Sequence, residues 1–154
     1  MKNKIIFFLV VMSLFSLLFL TACNKSSNLT VTSIHDSFIL GKTTTKELIK
    51  KFGKPDKIVK NNSMVLIQYN EDDSIEGGTS DKLHENTDYY KTLSLSNDSD
   101  DGKYTEYYEY NNSNSGLEYI RFYISKDKIQ TYKFGEIVDK EKAKKDRYLS
   151  QIMD

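Results

Sequence analysis

Few residue types in this sequence are placed to do chemistry. Its one cysteine, Cys23, excludes a disulfide scaffold and a cysteine-rich metal site. Nucleophilic catalysis needs a nucleophile, a base and a group that orients the base. The two histidines, His35 and His84, are 49 positions apart, and each reads as a surface side chain. Aspartates cluster in Asn97 to Glu109, where Asp98, Asp100, Asp101 and Gly102 invite a calcium loop. With Gly102 as its sixth position, Asn97, Ser99 and Asp101 take the first, third and fifth. Tyr108 then falls at the twelfth, where a bidentate glutamate is required. Asp-Gly is also an ordinary turn dipeptide, so a solvated turn is expected there. The chain contains no Gly-rich phosphate loop, H-E-x-x-H or C-x-x-C. The expectation is no catalytic residue, no metal and no cofactor, hence not an enzyme.

The remaining chemistry is at the start of the chain. Met1 to Lys4 is a short positive segment, and Ile5 to Leu20 is an apolar run of 16 residues broken only by Ser13 and Ser16. A membrane-spanning helix needs about 20 apolar residues, so the run suits a secretory leader better than a permanent anchor. Leu20-Thr21-Ala22-Cys23 follows and resembles the lipobox of bacterial lipoproteins. The resemblance implies cleavage between Ala22 and Cys23 and a diacylglycerol thioether on Cys23. Residues 1–22 are then a signal peptide. Asn24 rather than aspartate after the cysteine implies sorting to the outer membrane, facing the periplasm. The Lys- and Asn-rich composition leaves open the outer face of a Gram-positive plasma membrane. With the leader removed, the 22 basic residues fall to two fewer than the 22 acidic ones. That balance carries no footprint for nucleic acid.

These residues need a scaffold to position them. Residues 23–32 read as the lipidated N-terminus and a polar tether. Ile34, Phe38 and Leu40 predict a short helix ending at Gly41. Thr44 and Glu47 have capping-box spacing, Leu48, Ile49 and Phe52 form a stripe, and Gly53 followed by Pro55 ends a second helix. Ile58-Val59 and Met64 to Tyr69 read as strands around an Asn61-Asn62-Ser63 turn. Residues 71–88 are polar and acidic and read as a mobile loop. Strands are predicted at 89–96, 103–110, 117–124 and 129–134, with the first two of these paired. Residues 139–154 read as a solvated, charged helix or tail. The fold class is therefore α+β: two N-terminal helices on one face of an antiparallel meander, one domain over 33–138. The eleven tyrosines suit strands. Tyr107, Tyr119 and Tyr123 are candidates for a partner-binding sheet face, since aromatic rings lose little entropy on binding.

From Gly41 to Pro55 and from Leu117 to Phe134 the sequence resembles the BamE (SmpA/OmlA) family of small outer-membrane lipoproteins. Gly41, Thr44, Gly53 and Pro55 match that family's structural landmarks. It departs from the pattern in having no tryptophan and in the acidic insert of residues 71–116. The resemblance implies a membrane-anchored, non-enzymatic protein that binds other envelope proteins or lipid in outer-membrane assembly or maintenance. Two alternatives come from other classes: a surface-exposed lipoprotein acting as inhibitor or exclusion factor, and a metal or ligand binder using the acidic insert.

Cys23 alone can form the thioether, which sets the first test. Cys23→Ser is expected to leave an uncleaved precursor that takes up no fatty-acid label in growing cells. Equal labelling of wild type and variant overturns the lipoprotein expectation.

Overall fold

Hydroxyl caps start the first two helices. In the computed structural model, which describes residues 28–97, 103–111 and 114–153, Thr30 and Ser33 form a reciprocal capping box on α1, Val31–His35. Thr44 and Glu47 do the same for α2, Thr45–Phe52. The Thr44 N–H donates to the Glu47 carboxylate at 2.8 Å, and that bond holds the Glu47 pKa below its ordinary value. Leu48 and Phe52 form the buried face of α2. Gly53 ends it at φ 86° and ψ −172°, a conformation open in practice to glycine alone. Tyr110 then donates its hydroxyl to the Gly53 carbonyl at 3.0 Å.

Four antiparallel strands form the main sheet in the order β2–β4–β5–β6. β2 is Lys57–Val59, β4 Glu106–Asn111, β5 Tyr119–Ser125 and β6 Lys128–Phe134. A two-residue turn joins β5 to β6 with Lys126 and Asp127 both at positive φ, the combination that matches strand twist in a hairpin. Between β2 and β4 lie α3, Asn62–Asp73, α4, Thr79–Asn86, and β3, Ser94–Leu95. β3 pairs in parallel with β1, Ile39–Leu40. After β6 come α5, Lys140–Ala143, and a 3₁₀ turn, Leu149–Ile152.

Strand alternation divides the interior in two. Tyr108, Tyr110, Ile120, Phe122, Ile124, Tyr132 and Phe134 point into the larger core. There they meet Val31 and Ile34 of α1, Leu48 and Phe52 of α2, Leu83 of α4, and Tyr148 and Leu149 of the C-terminal segment. On the opposite face Tyr107 and Tyr123 form a second cluster with Val65 of α3 and with Tyr104.

The α+β class and the antiparallel sheet agree with the sequence, and several elements do not. Residues 64–69 are helix, not strand. Asn61, expected in a turn, is the N-cap of α3 and accepts from the Met64 N–H at 3.1 Å. Met-Val-Leu-Ile is an unbroken apolar run with neither period, so pattern alone leaves it undecided. The expected acidic loop of 71–88 contains the end of α3 and all of α4. Leu83 is fully buried there, and Thr79 donates its hydroxyl to the Gly135 carbonyl at 2.8 Å. Residues 89–96 do not pair with 103–110, because β4 is already paired on both sides, with β2 and β5.

The first helix runs over 31–35, and Ile39–Leu40 is strand. Leu29 and Val31 are buried, so the polar tether ends before them. The C-terminal segment is not solvated: Ala143, Tyr148 and Leu149 join the core. Helices cover both sheet faces rather than one. Ala22 and Cys23 lie outside the described residues, as do Asp98, Asp100, Asp101 and Gly102.

The two ends of α2 give a stability test. Thr44→Ala is expected to cost about 0.5–2 kcal/mol through the lost cap. Gly53→Val is expected to cost about 1–3 kcal/mol through backbone strain. Urea unfolding of both variants measures this, and unchanged midpoints contradict the cap assignment.

Candidate functional site

β5 presents Tyr119, Arg121 and Tyr123 to one side of the sheet, and a guanidinium in the middle of that face needs counter-charges. Arg121 Nε donates to Glu109 of β4 at 2.6 Å, and its Nη1 donates to Asp72 of α3 at 2.5 Å. Asp72 also accepts from the Tyr123 hydroxyl at 2.7 Å and the Tyr119 hydroxyl at 3.3 Å. The guanidinium carbon sits 3.8 Å from the centre of the Tyr119 ring. The Asp72 side chain is 3% exposed and that of Arg121 11%. Burial opposes the Arg121 charge, but the bonds to Glu109 and Asp72 outweigh it and hold its pKa above the usual arginine value. Burial, reinforced by Asp72, pushes the Tyr123 hydroxyl up. Burial and the Asp72 charge push Tyr119 up to about 12.

The three tyrosines expected to bind a partner are thereby accounted for inside the molecule. Tyr107 and Tyr123 are buried and Tyr119 is half-buried. The sheet face they share is occupied by α3 of the same chain, whose Val65 and Tyr69 pack on Tyr104 and Tyr123. Of the exposed large apolar residues, which also include Ile58, Ile75, Leu95 and Val138, three gather on the back of α3: Met64 is 56% exposed, Leu66 49% and Ile67 58%. No acidic residue lies between Lys57 and Asn70, so this half of the helix is apolar with Lys57 and Lys60 at its entrance. The sequence held one usable signal for the network, an arginine inside an alternating aromatic strand. It held none that distinguished the back of α3 from its front.

A second cluster surrounds His35, whose side chain is only 11% exposed and therefore not a surface histidine. Its ring lies 5.2 Å from that of Tyr89 and 4.8 Å from that of Tyr148. Nδ1 is 2.9 Å from Asp36 and Nε2 is 2.9 Å from the Thr92 hydroxyl, the spacing of a carboxylate–imidazole–hydroxyl relay. The Thr92 hydroxyl, however, donates to the Asp88 carbonyl at 2.9 Å, and the Tyr148 hydroxyl is 3.1 Å from the same Nε2. The Lys91 and Thr92 N–H groups also donate to Asp88, so neither is free to stabilise an oxyanion. Arg147 closes the cluster with a 2.8 Å bond to Asp36, and the bond from His35, followed by that from Arg147, keeps the Asp36 pKa low. This arrangement ties α1, the 88–92 turn and the C-terminal segment together beside an open cleft of about 840 Å³. His84 is exposed on α4, with its ring 5.7 Å from that of Tyr90.

Among the described residues no group of His, Cys, Asp and Glu could hold a metal ion, and no helix is long and apolar enough to cross a membrane. No protein-family model, curated protein or solved structure matches the chain.

Asp72→Ala leaves Arg121 with Glu109 alone and the Tyr123 hydroxyl without its acceptor, and is expected to cost about 1–3 kcal/mol. In an Arg121→Met background, where Asp72 has lost its counter-charge, the same change is expected to cost distinctly less. Denaturant titration of wild type, the two single variants and the double variant decides it. Equal costs of Asp72→Ala in the two backgrounds contradict the coupling of α3 to the sheet through this network.

Proposed function

We propose that this chain is a lipid-anchored, non-enzymatic binding protein of the cell envelope, comparable in kind to the BamE (SmpA/OmlA) lipoproteins, and that its binding surface is the outer side of α3. The anchor is the lipid on Cys23, and the location is the outer membrane facing the periplasm. The observation that carries the binding reading is the contrast between the two sides of α3. Its inner side is fixed by Val65, Tyr69 and the buried Asp72–Arg121 pair. Its outer side leaves three large apolar residues, Met64, Leu66 and Ile67, exposed to water within a single turn. A helix apolar on both sides normally has both sides covered. Here only one is, and the exposed side is held on a rigid support. Apolar residues with basic neighbours suit a protein surface that is apolar at its centre and acidic at its rim.

In-cell photocrosslinking tests this surface. A crosslinking amino acid at Met64, Leu66 or Ile67 is expected to form a discrete adduct that is absent when the same group replaces exposed His84. Ile67→Glu, which buries no charge, is expected to abolish the adduct from position 64 while leaving the melting temperature within about a degree or two, as for a surface change. No adduct above the position 84 control at any of the three sites overturns the assignment of α3.

A further inference from the structure

A lipid on Cys23 would limit how far one end of the domain can stand from the bilayer. Four residues lie between Cys23 and Asn28, where the described structure begins, so five Cα–Cα steps connect the two. Fully extended they reach about 18 Å. Asn28 lies beside Ser115, Lys142 and Lys145 around a cavity of about 400 Å³. Ser115 belongs to the connection from β4 to β5, so this is the end of the sheet where Asn111 pairs with Tyr119. The apolar half of α3 is at the other end and on the other face, because Val65 clusters with Tyr104 and Tyr107. A seven-residue strand spans about 23 Å, which already exceeds the tether. The lipid therefore holds the end bearing Asn28 close to the membrane, and the N-terminal half of α3 is the part of that helix left furthest from it, since its C-terminal Asp72 reaches Tyr119.

A basic segment lies at this end, next to exposed Glu118 and Glu136, with Arg147 paired to Asp36. Lys140, Lys142, Lys144, Lys145 and Arg147 are all exposed there. Of the three carboxylates in the same stretch, Asp146 is buried and accepts from the N–H groups of Thr32 at 2.8 Å, Tyr148 at 2.9 Å and Leu149 at 3.2 Å. Asp139 and Glu141 make exposed pairs with Lys142 and Lys144, at 3.2 and 3.0 Å. Such pairs are weak and exchange readily with other anions. Val138, 61% exposed, stands at the edge of the same stretch. The backbone at the start of this segment is set tightly. A Cβ on Gly116 would lie 2.3 Å from the Asp139 carbonyl and 2.7 Å from the Ala143 nitrogen, so the start of α5 is pressed against the β4–β5 connection.

We infer that the α5 face, Val138 with Lys140, Lys142, Lys144, Lys145 and Arg147, is a docking surface for an anionic bilayer. It orients the domain so that the apolar side of α3 is presented away from the membrane. The inference rests on the lipid anchor proposed for Cys23. Charge complementarity selects the occupant: a cationic segment on a chain that, without its leader, has two more acidic than basic residues, held within a tether's length of lipid headgroups. Each cation near such a surface contributes about 1 kcal/mol, roughly a five-fold change in occupancy. The tether supplies the high local concentration that makes so small a surface sufficient.

The test uses the mature lipoprotein purified from cells and reconstituted into vesicles of phosphatidylcholine, alone or with an equal part of phosphatidylserine. With Cys23 blocked by lipid, Val138→Cys or Ile67→Cys supplies a single thiol for an environment-sensitive fluorophore. The label at 138 is expected to shift to the blue and resist aqueous iodide in phosphatidylserine vesicles only. High salt, or Lys140→Glu with Lys144→Glu and Lys145→Glu, is expected to abolish that protection. The label at 67 stays quenchable in both vesicles. Equal quenching at 138 in both compositions, or protection at 67, overturns the docking surface. The anchor is read separately, by flotation with phosphatidylcholine vesicles and by the mass of the N-terminal peptide. If it is absent, the label at 138 with phosphatidylserine vesicles still decides whether the face binds on its own charge.

Discussion

One charge on one strand shapes the second half of this fold. Arg121 occupies the middle of β5 on the face opposite the larger core, flanked by Tyr119 and Tyr123. A guanidinium half-surrounded by aromatic rings cannot be left dry and unpaired. Glu109 on the neighbouring strand supplies one counter-charge within the sheet. The other comes from α3, which brings Asp72 to the same nitrogen fork and to two tyrosine hydroxyls. Covering the face and neutralising the arginine are therefore one event. α3 cannot leave without exposing Val65 and Tyr123 and stranding the pair.

That coupling explains where sequence reasoning succeeded and where it stopped. The ends of α2 were legible because caps are local: Thr44 and Glu47 are three residues apart, and Gly53 meets its own backbone requirement. The β5–β6 hairpin was legible because Ile120, Phe122 and Ile124 alternate cleanly with Tyr119, Arg121 and Tyr123. Residues 64–69 were not legible, because Met-Val-Leu-Ile carries no period and its helical state is decided by a partner 49 positions away, Arg121 on Asp72. The same distance problem hid α4. Thr79 and Leu83 look like parts of a polar loop until Gly135 and the larger core are brought to them.

The tyrosines show a different failure. Their face was correctly read as aromatic, but strand alternation says only that two faces exist, not which one the chain itself covers. Tyr107 and Tyr123 went to α3, and the exposed surface moved one layer outward, to the back of that helix. The His35 cluster repeats the pattern. His35 and Asp36 are adjacent in sequence, yet the partners that bury the ring, Tyr89, Thr92 and Tyr148, come from segments 54 to 113 positions away. No local spacing announces it.

The lipid anchor proposed for Cys23 would turn these internal assignments into an orientation. An untethered domain offers all faces equally, so an apolar patch such as Met64, Leu66 and Ile67 is mainly an aggregation hazard. The edge strand beside it is kept to three residues with Lys57 at its start and Lys60 just beyond its end, a form that discourages edge pairing with a second sheet. Tethering changes the balance. If the chain is held at the end bearing Asn28 and α5, encounters between two anchored copies occur side by side, whereas the back of α3 points outward. The hazard among copies falls while access for a partner arriving from the aqueous side is retained. Under that proposal, a rigid helix, an internal salt bridge that fixes its inner face and a short leash at the opposite end would together make that apolar surface usable.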